Sequence, residues 1–118
     1  MSTITADLIR GNTDMIILAQ LIDEDSYGYR INHRIREATD QRYELKEATL
    51  YTAFRRLEEA GAITSYWGDE DSGARRRYYS ITPQGRQNYE RMLADWKAAH
   101  EIISNLIGLG AEQKTEAL

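Results

Sequence analysis

The stretch AITSYWGDEDSGARRRYYSIT, residues 62–82, breaks the hydrophobic period of everything around it. On either side, apolar residues return every three or four positions, as helices require. Within it, ITSYW and RYYSIT are short runs rich in β-branched and aromatic residues, and GDEDSGA lies between them as turn material. The segment therefore reads as one β-hairpin with a longish tip, set among helices. The fold class is mainly α, α+β in detail.

Three helical segments precede the hairpin. The first, ITADLIRGNTDMIILAQLIDED, carries two apolar stripes, one through Ile4, Leu8, Met15, Ala19 and Ile22, the other through Ile9, Ile16, Ile17 and Leu21. A helix apolar on both sides must be covered on both sides, here by the domain's own core and by a neighbouring subunit. Gly11 interrupts the pattern. In the second segment Ser26 is the expected N-cap, Tyr27, Ile31, Ile35 and Ala38 repeat at helical spacing, and Arg30, His33, Arg34 and Arg36 fall outside. The third, KEATLYTAFRRLEEAG, turns Leu50, Ala53, Phe54 and Leu57 inward and stops at Gly61. Its outward positions are Thr49, Thr52, Arg55 and Arg56, with Tyr51 at the boundary. Beyond the hairpin, Thr82 caps a final helix with Pro83 at its first position. Tyr89, Met92, Trp96, Ala99, Ile103 and Leu106 then form a heptad seam that argues for helix pairing.

Composition excludes several classes of function. The 118 residues suit one small domain, and the absence of cysteine removes disulfides, thiolate metal sites and cysteine catalysis. Two histidines, His33 and His100, are too few and too distant to suggest a metal site, and no cofactor is expected. No apolar run approaches the roughly 18 residues of a membrane span, nor does the N-terminus resemble a signal peptide, so a soluble cytoplasmic protein is expected. The formal charge of -4 is unevenly laid out. From Ser26 to Thr82 there are ten Lys/Arg against nine Asp/Glu, which leaves five against ten in the flanks out of totals of 15 and 19. The middle, with its arginine clusters, is the part suited to an anionic partner.

Three helices, a hairpin and a long pairing helix form the order of a winged helix-turn-helix domain with a C-terminal dimerisation helix. The expected boundaries are 5–82 for the DNA-binding domain, 83–108 for the dimerisation helix, and 109–118 for a frayed tail. A helix of this kind reads base edges in the major groove while the hairpin places cations on phosphates. Two copies held at fixed spacing engage a palindromic operator. Thr49, Tyr51, Thr52, Arg55 and Arg56 are the candidate groove donors, and Tyr29 is placed to reach the phosphate backbone. Strand alternation sends Arg75 and Arg77 to one face of the wing and Arg76 to the other, so pairing with Asp69, Glu70 and Asp71 cannot engage all three. Arg75 and Arg76 are the expected phosphate contacts and Arg77 the structural member.

The blocks YGYRINHRI, LKEATLYTAFRRLEEAG, SYWGDEDSGARRRYYSITPQG and LADWKAAHEI, from about Leu8 to Leu106, resemble the short form of the PadR family of bacterial transcriptional repressors. Within that family they resemble the multidrug-sensing type of lactococci. The resemblance implies a homodimer whose interface is crossed by a flat-sided pore where tryptophans stack planar aromatic drugs. It assigns that role to Trp96 and the pore lining to Leu8, Gly11, Asp14, Met15, Met92, Leu93 and His100. Two departures stand out. Lys46 replaces the small polar residue usual before the recognition helix, which makes a poor cap but a possible phosphate contact. His100 and Ser104 stand where the drug-sensing relative carries acids.

By spacing alone Trp96 is a packing residue of the seam, and only the resemblance makes it a ligand platform. The expected protein is thus a DNA-binding repressor released by planar aromatic or lipophilic compounds and controlling a multidrug transporter or its own gene. The alternative is the same repressor with no small-molecule effector, answering to a protein partner or to its own level. Catalysis is not expected, because no nucleophile–base pair, phosphate loop or metal cluster appears in a recognisable spacing.

Overall fold

The computed structural model describes residues 3–68 and 75–109. In chain order the elements are α1 (Thr3–Arg10), α2 (Thr13–Gln20), α3 (Gly28–Ala38), α4 (Glu47–Glu59), β1 (Ile63–Trp67), β2 (Arg77–Ile81) and α5 (Pro83–Leu106). Asp69, Glu70 and Asp71, weighed against DNA as partners of the wing arginines, and the tail from Gly110 onward lie outside the described residues. The first apolar segment is two helices rather than one, broken at Gly11–Asn12. The break is bridged by the Thr13 hydroxyl, which donates to the Arg10 carbonyl at 2.9 Å.

One core holds the helices and hairpin together. Ile17, Leu18 and Leu21 of the α2 segment meet Ile31 and Ile35 of α3, Leu50, Ala53, Phe54 and Leu57 of α4, and Ile63 and Tyr79 of the hairpin. The Phe54 and Tyr79 rings stack with centroids 3.8 Å apart, so β2 is seated directly on the apolar face of α4. That face consists of the four residues predicted to turn inward. Gly61 ends the helix as predicted, with a φ of 76°. The Ala62 N–H donates to Leu57 O and the Gly61 N–H to Glu58 O, which satisfies two of the terminal carbonyls.

The hairpin is antiparallel, with Trp67 opposite Arg77, Tyr66 opposite Tyr78 and Ile63 opposite Ile81. Ser26 does not cap α3 as expected. It is fully buried and extends the sheet by one bridge to Tyr79, exchanging N–H···O bonds of 3.1 and 2.7 Å. Tyr27 takes the N-cap position with no side-chain bond to the helix. Backbone pairing of a buried serine satisfies both its donor and its acceptor, and that outweighs the cap preference of its hydroxyl.

Thr82 caps α5 as predicted, accepting from the Gly85 N–H at 3.0 Å. The same hydroxyl donates to the Gly61 carbonyl at 2.6 Å, which ties the end of α4 to the start of α5. Gly85 is buried where α5 crosses the hairpin. A Cβ there would land on the Ala62 carbonyl oxygen and 2.8 Å from Ile81 Cγ1. Further along α5, Tyr89 and Met92 pack on the core, but Ile102, Ile103 and Leu106 are more than half exposed, as is Leu8 of α1. Among the described residues no helix is long and apolar enough to cross a membrane.

Candidate nucleic-acid interface and adjoining cavity

The start of α4 is set by a side chain that the sequence reading passed over. Asn32 of α3 donates through Nδ2 to the Leu45 carbonyl and accepts through Oδ1 from the Leu45 N–H, both at 2.8 Å. The amide acts as a strand partner for the residue just before Lys46, and so fixes where α4 begins. An asparagine inside a helix, where its propensity is poor, was the available signal. Lys46 occupies the N-cap position in extended conformation with no side-chain cap bond. The first N–H groups of α4 therefore face outward with a lysine beside them.

Clefts flank this helix end on both sides. One, of about 420 Å³, is lined by Gly28, Tyr29, Asn32, Arg36, Lys46, Leu50 and Tyr51 among others. It brings together Tyr29, Lys46 and Tyr51 of the predicted DNA-contacting set. Tyr29 is 71 % exposed and stacks on His33, while Tyr51 is half out of the core with its ring edge on Phe54. The second, of about 430 Å³, runs along the other flank past Arg10, Thr13, Ala48, Thr49, Thr52 and Arg56. Arg55 is exposed on α4 and makes no ion pair among the described residues.

Arg56 is placed differently from its expected role as an outward donor. It lies across from Asp14 of α2, with Nε 3.2 Å from Oδ2 and Nη2 on Oδ1, a two-pronged ion pair. That pair holds the arginine charged more firmly than usual, through the hydrogen bond first and the charge of Asp14 second. Other side chains of the helical body are also matched: Arg34 by Glu24 and Arg36 by Glu44 at 2.7 Å, while His33 Nε2 lies 3.0 Å from Glu37.

The wing separates its arginines as strand alternation requires. Arg75 and Arg77 lie over the Trp67 ring at 5.5 and 5.2 Å, and Arg76 lies over Tyr27 at 4.8 Å on the other face. Arg77 is also the first residue of β2, paired with Trp67 across the ladder. The inner face is braced to the body. Tyr66 stacks on Tyr78, Tyr78 meets the Tyr27 ring edge, Arg30 lies over Tyr27, and the Tyr66 hydroxyl donates to Asp25 at 2.6 Å. That bond to a carboxylate raises the Tyr66 pKa. All three arginines remain exposed.

Behind α4, between the α1–α2 turn and α5, lies an open cavity of about 540 Å³. Gly11, Asp14, Met15, Met92 and Trp96 of the predicted pore lining meet there. Arg10, Asn12, Thr13, Arg56, Asp95 and Ala99 complete the wall. Leu8, Leu93 and His100 do not line it in the single chain. His100 instead stacks on Trp96, with centroids 5.1 Å apart and planes 10° from parallel. Asp95 and Ala99 follow Met92 at helical spacing and were legible as one face of α5. Arg56 was not, since nothing local announces a partner 42 residues away.

An all-helical body with a braced two-stranded wing and an exposed helix start beside it defines a winged helix-turn-helix regulator. Residues 17–91 match the transcriptional regulator PadR-like family, and the chain belongs to that family. A transcriptional regulator from Clostridium thermocellum is 48 % identical and superposes with a TM-score of 0.77, covering 84 % of this chain and 96 % of its own. An uncharacterized protein of Lysinibacillus sphaericus is 40 % identical over 100 residues, which are 85 % of this chain and 92 % of that protein. The crystal structure of Bacillus subtilis PadR in complex with operator DNA shares the fold at 23 % identity, with a TM-score of 0.62 over 69 % of this chain and 47 % of that one. The family is one of transcription regulators, not of enzymes.

Proposed function

We propose that this chain is a homodimeric DNA-binding repressor that inserts the first half of α4 into the major groove and grips flanking phosphates with its wings. The observation that carries the reading is the uncapped start of α4, where Lys46, Thr49, Tyr51 and Thr52 are exposed together with Tyr29 beside them. Tyr51, Thr49 and Thr52 read base edges, since recognition helices use their N-terminal residues. Lys46, Tyr29, Arg75 and Arg76 contact phosphates and carry no sequence information. Arg55 joins them at the far side of the helix, whereas Arg56 is already engaged by Asp14. The Bacillus subtilis protein of the same fold was solved in complex with operator DNA, which supports DNA as the partner.

The uncovered apolar edge of α5 and α1 supports the dimer. Leu8, Ile103 and Leu106 are 77, 57 and 79 % exposed, and a second copy of α5 along the predicted seam covers them. Pairing across Trp96 also closes the open side of the cavity. We assign that cavity to a planar aromatic effector whose binding alters the spacing of the two half-site readers. An effector can do this only through unequal affinity for the two arrangements. The operator is placed upstream of its own gene or of a multidrug transporter gene.

Fluorescence anisotropy with DNA from upstream of its own gene, with and without a planar aromatic compound, tests the reading. Tight binding that weakens with salt supports the repressor. Binding no tighter than to unrelated DNA of equal length sinks it. The stacking of His100 on Trp96 favours a second reading, in which the ring is satisfied by its own chain and no effector exists. Quenching of tryptophan emission by the compound that persists undiminished in Trp96→Phe, where Trp67 alone emits, removes the stacking role.

A further inference from the structure

Arg56 lines two surfaces at once. It belongs to the wall of the Trp96 cavity and to the cleft along Thr49 and Thr52 on the exposed flank of α4. Its guanidinium is held by Asp14, which also lines the cavity. The charged groups of that wall are Arg10, Asp14, Arg56 and Asp95, and Arg10 is paired outside it with Asp7 at 2.7 Å. Asp95 makes no ion pair among the described residues. With Arg56 in place, Asp14 is answered. With Arg56 swung outward, Asp14 and Asp95 both stand unmatched beside an aromatic ring.

We infer that Asp14 is a shared counter-ion, exchanged between Arg56 of the recognition helix and the positive charge of an aromatic cation bound on Trp96. The inference rests on the effector reading of the cavity and adds both the charge of the ligand and the route to the DNA-reading helix. The pair is the right kind for such an exchange. It is two-pronged and therefore directional, yet Arg56 is 54 % and Asp14 29 % exposed, so its hold is weak enough for a ligand to overcome. A neutral ligand of the same shape cannot take over Asp14 and leaves Arg56 where it is. A cation releases Arg56 and with it the tether between the middle of α4 and the first turn of α2.

The test uses two isosteric probes, N-methylquinolinium and 1-methylnaphthalene, titrated into the full-length protein without DNA and followed by calorimetry. Removing the competitor in Arg56→Gln is expected to tighten the cation about threefold to fivefold, the equilibrium factor an exposed ion pair commands. Asp14→Asn is expected to weaken it by about the same factor, with the neutral probe moving less than the cation in both. In the Asp14→Asn background, Arg56→Gln is expected to have no further effect, because the exchange has lost its shared member. Additive effects in that cycle indicate a general field of charge instead, and overturn the inference. So does equal binding of the cation by wild type and Arg56→Gln. If neither probe binds wild type, the effector reading falls and takes the inference with it. If both probes bind but the variants do not separate them, only the inference falls. Thermal unfolding of each variant confirms that both substitutions, at partly exposed positions, leave the fold intact.

Discussion

Replacing Arg75 and Arg76 together by alanine isolates the electrostatic part of DNA attachment. Each wing places these two cations on opposite faces, one over Trp67 and one over Tyr27, so a single phosphate cannot serve both. The proposed dimer has two wings and so places four such cations. Each phosphate neutralised on duplex DNA contributes about 0.9 to the slope of log affinity against log salt, so the double variant is expected to lose roughly 3.6 from that slope. Between 50 and 200 mM salt this is a difference of roughly 150-fold in how steeply affinity falls. Anisotropy titrations at four salt concentrations measure it directly. Arg77→Ala serves as the comparison, because that side chain lies over the Trp67 ring and its residue pairs with Trp67 in the ladder. It is expected to lower the thermal midpoint more than the slope. A slope in the double variant within about 0.5 of wild type would refute the phosphate role of the wing, whatever happens to overall affinity.

Three further outcomes concern the scaffold. Thr82→Val removes both the acceptor for Gly85 N–H and the donor to Gly61 O, and is expected to cost about 2 kcal/mol in urea unfolding at fixed protein concentration, with Thr82→Ser restoring most of it. Asp40 closes α3 with φ at 52° in the place a glycine usually fills, so Asp40→Gly is expected to raise stability by about 0.5–1 kcal/mol in the same assay. The Tyr66 phenol, raised in pKa chiefly by its bond to Asp25, stabilises the wing brace below the ordinary tyrosine value near 10 and loses that contribution as pH rises through the higher folded value. Hydrogen exchange of the β1–β2 amides is expected to report looser wings above that range in wild type, and Tyr66→Phe is expected to show no such transition.

Local rules made most of this fold legible. The inward face of α4, the Gly61 stop and the Thr82–Pro83 start each depend on residues within one or two helical turns, and the sequence displays them directly. Ser26 misled because its cap signal is local while the strand edge that claims it is Tyr79, 53 positions later. The same limit hid the Asn32 clamp on Leu45 and the Asp14–Arg56 pair. Each requires knowing which helices end up side by side. For the candidate site, composition and alternation placed Arg75 and Arg77 on one side of the wing and Arg76 on the other. They could not tell that aromatic rings lie beneath them, or that one cation of α4 is already taken. The cavity residues divide in the same way, with the α5 wall visible as a helical face and the Arg56 wall visible only in three dimensions.

Gly85 gives the long helix a mechanical character. With no side chain between α5 and the Ala62 carbonyl, helix and hairpin touch backbone to backbone near one end of α5. Taken as a fulcrum, that contact gives the remaining 21 positions to Leu106 a lever arm of roughly 31 Å. Tilting it by about 5° sweeps the far end through nearly 3 Å, by the same helical rise. The gearing also works in reverse. In the proposed dimer, ångström-scale slippage between paired helix ends would arrive at the wing as only a few degrees of rotation, so the subunit contact could breathe without misaligning the grip on DNA. Only a wedge driven in close to the pivot, near Met92, turns a small displacement into a large change of angle.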